Sequence, residues 1–140
     1  MGARQKVRKA SDSSLYREIE LLMIWLIGVG DRIPKGSPTL LTTSKTLMET
    51  LTDALTSCGG AYLTPDLTLR RDYLSALQLD MTVVQSIVKV WFEWSSQHGQ
   101  TVRLVSREQH AHFLRSMTKI GMEMTGWRIS TEKAIANRDK

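Results

Sequence analysis

Three histidines, His98, His110 and His112, and the arginines before the last two are the residues here whose types and spacing could do chemistry. Arg107 stands before His112 with four residues between them, and Arg103 before His110 with six. An imidazole near a guanidinium could act on a phosphodiester such as that of RNA. The histidine would move a proton at the 2'-hydroxyl while the arginine stabilised the phosphorane. Such pairs also arise readily by chance. His110 and His112 are two apart, so on a helix they face different ways and cannot share a metal. The chain has no Gly-rich phosphate loop, no Cys/His metal spacing and no nucleophile motif. No metal, cofactor or catalytic residue is expected from this reading. The single cysteine, Cys58, cannot form an internal disulfide and fits a reducing compartment. As a small apolar residue near a helix end it reads as a core filler.

The elements that must position these side chains read as helices throughout. The longest runs from Asp66 to Gln97 without a Pro or a Gly. Its Leu67, Leu74, Leu77, Met81, Val84, Val88 and Trp91 recur at spacings of three and four, with one position skipped at Arg70. At about 1.5 Å per residue it spans on the order of 45 Å, the length of a bundle rod. A first helix begins at Ser13 or Ser14 with Leu15, Ile19, Leu22, Leu26, Val29 and Ile33 on one stripe. Leu21, Met23, Ile24, Trp25 and Ile27 add a second stripe, which needs a second partner, either more of the same domain or a neighbouring subunit. Asp31 to Gly36 breaks that helix, and Ser37-Pro38 opens the next. This second helix is expected to bury Leu41, Leu47, Met48, Leu51, Ala54, Leu55 and Cys58 and to stop at Gly59-Gly60. Its six threonines, at 42, 43, 46, 50, 52 and 56, leave packing to supply its stability. Thr64-Pro65 reads as the start of the long third helix, whose Trp91, Phe92 and Trp94 pack a bundle end. Ser106 with Gln109 is a capping box for a fourth helix with Phe113, Met117, Ile120, Met124 and Trp127 inward. Short links make neighbours antiparallel. The expected fold is all-α, an up-down-up-down four-helix bundle over 14–128, between a basic disordered tail at 1–13 and a charged tail at 129–140.

One domain is what 140 residues supply, and 41% apolar with 24% charged residues is ordinary for a globular chain. The apolar run Leu21 to Val29 is half the length a bilayer needs and is flanked by charge, so neither a membrane span nor a secretory signal is expected. A cytoplasmic protein is. The net charge of +5 is uneven: Arg4, Lys6, Arg8 and Lys9 crowd the start, and Arg128, Lys133, Arg138 and Lys140 the end. Between them positive and negative charges balance. Basic ends of this kind either attract nucleic-acid phosphates or simply keep a protein in solution.

Four helices, the Ile33-Pro34-Lys35 break, the Leu69-Arg70-Arg71 opening of the long helix and the Ile120-Gly121-Met122 to Gly126-Trp127-Arg128 ending give the chain a likeness. It resembles the accessory variability determinant (Avd) proteins of diversity-generating retroelements, relatives of the four-helix proteins encoded in ribosomal RNA intervening sequences. The resemblance covers residues 14 to 130, and the threonine-rich second helix departs from it most. It implies a non-catalytic, basic homopentamer that binds the element's reverse transcriptase and template RNA for mutagenic cDNA synthesis and retrohoming. Arg70, Arg71, Arg107, Arg115, Lys119 and Arg128 are then the expected contacts to RNA or reverse transcriptase. Leu21, Ile24 and Trp25 are the expected subunit interface. The alternatives are an RNase resembling the HEPN class, which would use Arg107 and His112, and a plain helical interaction module.

Overall fold

The structure, a computed structural model, describes residues 9–10, 13–98 and 104–139. Four helices account for nearly all of them: α1 (Ser14–Gly30), α2 (Pro38–Leu63), α3 (Leu67–His98) and α4 (Arg107–Arg138). Each start has a local cause. The Ser13 hydroxyl accepts from the Tyr16 amide, and Ser106 and Gln109 exchange side-chain and backbone bonds in a full capping box. Ser37 occupies the cap of α2 before Pro38, but its hydroxyl does not bond the helix.

The contacts between helices fix the topology. Along α1 and α4 the partners descend as the others rise: Ser14 meets Glu123, Glu18 meets Lys119, and Arg32, just past α1, reaches Leu104, just before α4. Tyr16 lies at Gly59 and Ser44 at Gly30, so α1 and α2 are antiparallel. Thr43 meets Trp91 and Gly60 meets Tyr73, while Phe92 stacks on His110 and Gln78 binds Arg128. Every seam is antiparallel. The α1 backbone runs beside those of α2 and α4 but not beside that of α3, so the helices form a square with α1 and α3 at opposite corners. The all-α up-down-up-down bundle is the observed fold.

The core is the four stripes meeting along the axis. Leu15, Ile19, Leu22, Leu26 and Val29 of α1 face Leu47, Leu51, Ala54 and Cys58 of α2, the Leu74-to-Trp91 heptads of α3, and Phe113, Met117 and Ile120 of α4. At about 25 cal/mol per Å² this shared apolar surface is the main force holding the rods together. In α2, Leu40 is buried and Leu41 is exposed, one position off the expected stripe.

Three further expectations are corrected. Gly59-Gly60 does not end α2, which continues to Leu63. The pair is there for close approach: a Cβ on Gly60 would stand 2.7 Å from the Tyr73 ring, and one on Gly59 would stand 3.2 Å from Ala10. Thr64-Pro65 does not cap α3. Thr64 closes α2, and Asp66 caps α3 by accepting from the Thr68 and Leu69 amides at 3.0 and 3.1 Å. The third correction lies at the far end, where α4 runs on to Arg138 through most of the stretch read as a charged tail. Thr131 is buried there and donates to the Trp127 carbonyl. Most of the basic start, 1–8 and 11–12, lies outside the described residues.

Candidate nucleic-acid interface

Charge on the helices is concentrated where the sequence ends. α4 carries six cations against three acids, whereas α1 and α2 each carry one cation against two acids and α3 is balanced. The late arginines and lysine therefore stand on a helix, at fixed spacing. Arg107, Leu114, Gly121 and Arg128 repeat every seven residues and so share one edge of α4. Arg128 marks which edge, because its guanidinium donates to Gln78 of α3 at 2.9 Å. On α3, Arg71 and Lys89 lie seven residues before and eleven after Gln78, on the same side of that helix. Arg71, Lys89, Arg107 and Arg128 therefore border the α3–α4 wall. Glu93 stands on it too and pairs with Lys89 at 4.0 Å in the open.

The other expected contacts are placed elsewhere. Arg70 is not on the outer surface: its Nε donates to the Ala61 carbonyl at 3.0 Å and its Nη2 to that of Thr64 at 2.9 Å. It satisfies carbonyls at the C-terminal end of α2, where a cation also complements the helix dipole. The skipped heptad position thus belongs to the α2–α3 joint. Lys119 reaches across to α1 and bonds Glu18 at 2.6 Å. That hydrogen bond and the Glu18 charge raise the amine above the ordinary lysine value. Arg115 is exposed on the outer side of α4.

Of the expected interface residues, Leu21 and Ile24 are 54% and 65% exposed on the outside of α1. Trp25 is half-buried and stacks on Phe113 of α4, ring centres 6.1 Å apart. It belongs to the packing of this chain. Between them the α1–α4 seam leaves a cleft of about 200 Å³ lined by Glu18, Leu21, Trp25, His112 and Ser116 among others.

The histidines divide the same way. His110 lies flat on Phe92, ring centres 4.1 Å apart at 7°, and so tightens the α3–α4 wall. His112 is exposed beside the α1–α4 cleft. Arg103 lies outside the described residues. Burial pushes the Cys58 thiol up to about 11 despite a hydrogen bond from Ser13, so it stays protonated and packs as an apolar group. Among the described residues no group of His, Cys, Asp and Glu could hold a metal ion, and no helix is long and apolar enough to cross a membrane.

The basic α3–α4 wall was only partly legible in the sequence. Arg71, Arg107 and Arg128 are among the contacts that the resemblance implies, and Lys89 is not. Its signal was the spacing of seven and eleven about Gln78, which means nothing until the Arg128 contact shows which side of α3 meets α4. Compared with protein-family models, curated proteins and solved structures, this chain finds no match.

Proposed function

We propose that this protein is a non-catalytic accessory subunit of a diversity-generating retroelement, self-associated as a homo-oligomer and binding template RNA and reverse transcriptase in support of mutagenic cDNA synthesis. The observation that carries the nucleic-acid half is the surplus of cations on α4, six against three, with Arg107 and Arg128 on its edge toward Arg71 and Lys89 of α3. A rigid row of guanidinium and ammonium groups displaces counterions from a phosphate backbone without reading bases. That suits a subunit that holds RNA while another performs synthesis. The exposed α1 stripe of Leu21 and Ile24 supports self-association. In a pentamer, +5 per chain would total +25, a strong field for RNA. The resemblance over residues 14 to 130 supplies the identity of the partners, and a cytoplasmic setting goes with it.

The test is RNA binding by fluorescence anisotropy across a salt series, with the parent and an Arg107→Glu, Arg128→Glu variant. The parent should bind a template RNA and lose affinity steeply with salt. Losing two phosphate contacts should flatten the log–log slope by roughly 1.4 to 1.8. The variant should also capture less reverse transcriptase–RNA complex. Equal binding by both proteins would remove the wall from the account, and no binding at physiological salt would leave a plain helical module. RNA cut by the parent but not by His112→Ala would instead make the protein a nuclease.

A further inference from the structure

Glu18, Trp25 and Arg32 repeat every seven residues and so lie along one edge of α1 and the turn after it. It is the edge that faces α4, where they meet Lys119, Phe113 and the Leu104 carbonyl just before that helix. Trp25 stands in the middle with a cleft on either side. The first, of about 200 Å³, is lined by buried Phe113, by Leu21 and by the polar groups Glu18, His112 and Ser116. The second, of about 310 Å³, is bordered by Gly28, Arg32 and Gln109. A Cβ at position 28 would meet nothing within 4 Å, so glycine there leaves the second cleft open. At about 1.5 Å per residue the two clefts lie on the order of 10 Å apart along α1.

The two clefts offer opposite chemistry. Lys119 takes one oxygen of the Glu18 carboxylate, and the other oxygen has no partner among the described residues, so this end accepts an N–H. His112 and Ser116 beside it donate or accept. At the other end Arg32 gives one N–H to the Leu104 carbonyl at 2.8 Å. Its remaining N–H groups have no partner among the described residues, and no carboxylate pairs with it there. Gln109 spends its carbonyl oxygen on the Ser106 amide and keeps its amide N–H groups. This second end donates and carries positive charge. An aromatic wall between an acceptor and a cation suits a flat heterocycle with an amino group on one side and an anion on the other. A cavity of about 150 Å³ takes benzene, so the first cleft has room for a fused bicycle.

We infer that the α1–α4 groove binds a purine nucleotide, its base in the first cleft against Trp25 with the amino group on Glu18, and its phosphate on Arg32 and Gln109 across the gap left by Gly28. Every base has a face to stack on an indole, so the carboxylate and the width of the cleft supply the preference for an amino-purine. The guanidinium binds phosphate through parallel N–H groups. Ile24 and Ile27 lie farther round α1, so association through them leaves the groove open. A free nucleotide and one nucleotide of an RNA strand present the same chemistry. The groove lies on the other seam of α4 from the Arg107–Arg128 edge, and the inference does not rest on that wall.

The test is isothermal titration calorimetry of the full chain with AMP and GMP, against IMP, which lacks the amino group, and ribose 5-phosphate, which lacks the base. AMP or GMP should bind in a one-to-one ratio with the chain, IMP roughly tenfold more weakly, and ribose 5-phosphate not at all. Gly28→Glu places a carboxylate four residues before Arg32, where it pairs with the guanidinium and fills the second cleft while helicity by circular dichroism is kept. It should weaken the nucleotide roughly tenfold or more and leave binding of the phosphate-free nucleoside unchanged. Glu18→Gln should instead erase the preference over IMP. No heat from AMP or GMP at millimolar concentration, nucleotide affinity unchanged by Gly28→Glu, or ribose 5-phosphate binding as well as the nucleotides would overturn the site. A short purine oligoribonucleotide separates the two sources. Binding tighter than the monophosphates, lost in Gly28→Glu and kept in the Arg107→Glu, Arg128→Glu variant, assigns the site to an RNA strand; binding no tighter assigns it to the free nucleotide.

Discussion

The α2–α3 seam and the α1–α4 seam are built from opposite materials. Between α2 and α3 the backbones come close enough for Gly60 to lie against the Tyr73 ring, Trp91 is fully buried with its indole N–H on Thr43 at 2.8 Å, and Arg70 fastens the α2 end. Between α1 and α4 the polar cross-links are a Glu18–Lys119 bridge in solvent and a long Ser14–Glu123 bond, and the Trp25–Phe113 stack beside them borders an open cleft. One seam is held by shape, and a change of a single carbon is felt there. The other tolerates change, and its outer side is free to do something else. Packing leaves side chains uncommitted on the outside of α1 and α4 and along the α3–α4 wall.

The sharpest way to break the comparison is Trp91→Ala. It should cost about 3–5 kcal/mol in urea unfolding, because a buried indole leaves a cavity that the seam cannot fill. Next comes Gly60→Ala. Helix propensity alone would make it stabilising by up to ~1 kcal/mol, but crowding against Tyr73 should turn it into a net loss of about 1 kcal/mol. In a Tyr73→Ala background the same change should become favourable, and additivity of the two would show that the ring is not the obstacle.

A smaller effect belongs to Asp80→Asn on the same seam. Burial, and then the charge of Asp53, raise the Asp80 carboxyl above its ordinary 3.8. The folded chain therefore holds that proton more tightly than the unfolded one, and the resulting stability is present below 3.8 and lost as pH rises through the folded value. The Asp80→Asn variant should accordingly be slightly more stable than the parent at pH 7 and no different at pH 3, as read from paired urea midpoints. The smallest effect should come from the other seam: Lys119→Met removes an exposed ion pair and should leave the urea midpoint where it was. A clear loss there would mean that the α1–α4 seam depends on its bridge.

The number of helices, their order and most of the core were legible in the chain because hydrophobic period and capping chemistry are local. Ser106 and Gln109 reveal a helix start without reference to anything distant. Gly59-Gly60 misled for the complementary reason. A glycine that ends a helix and a glycine that admits a neighbour's ring are the same letter, and only the position of Tyr73 separates them. Arg70 interrupts a heptad for a purpose that lies at Ala61 and Thr64. The last turns of α4 did leave a trace: Trp127, Thr131 and Ile135 continue the spacing of four, masked by the charges between them. Lys119 and Arg115 look alike in sequence, yet Glu18 engages the first and the second stands clear.

The square of helices also dictates an order of assembly. The α2–α3 seam joins helices adjacent in the chain, with Arg70 and Ala61 only nine positions apart, while Ser14 and Glu123 are separated by 109. Each doubling of a closed loop adds about 0.6 kcal/mol of entropy cost, so the seam that joins the first helix to the last is the hardest to close and the least packed once closed. In hydrogen exchange α1 should open as a unit while α2 and α3 stay protected. A newly made chain would then hold a formed α2–α3 hairpin before its first helix has found its place.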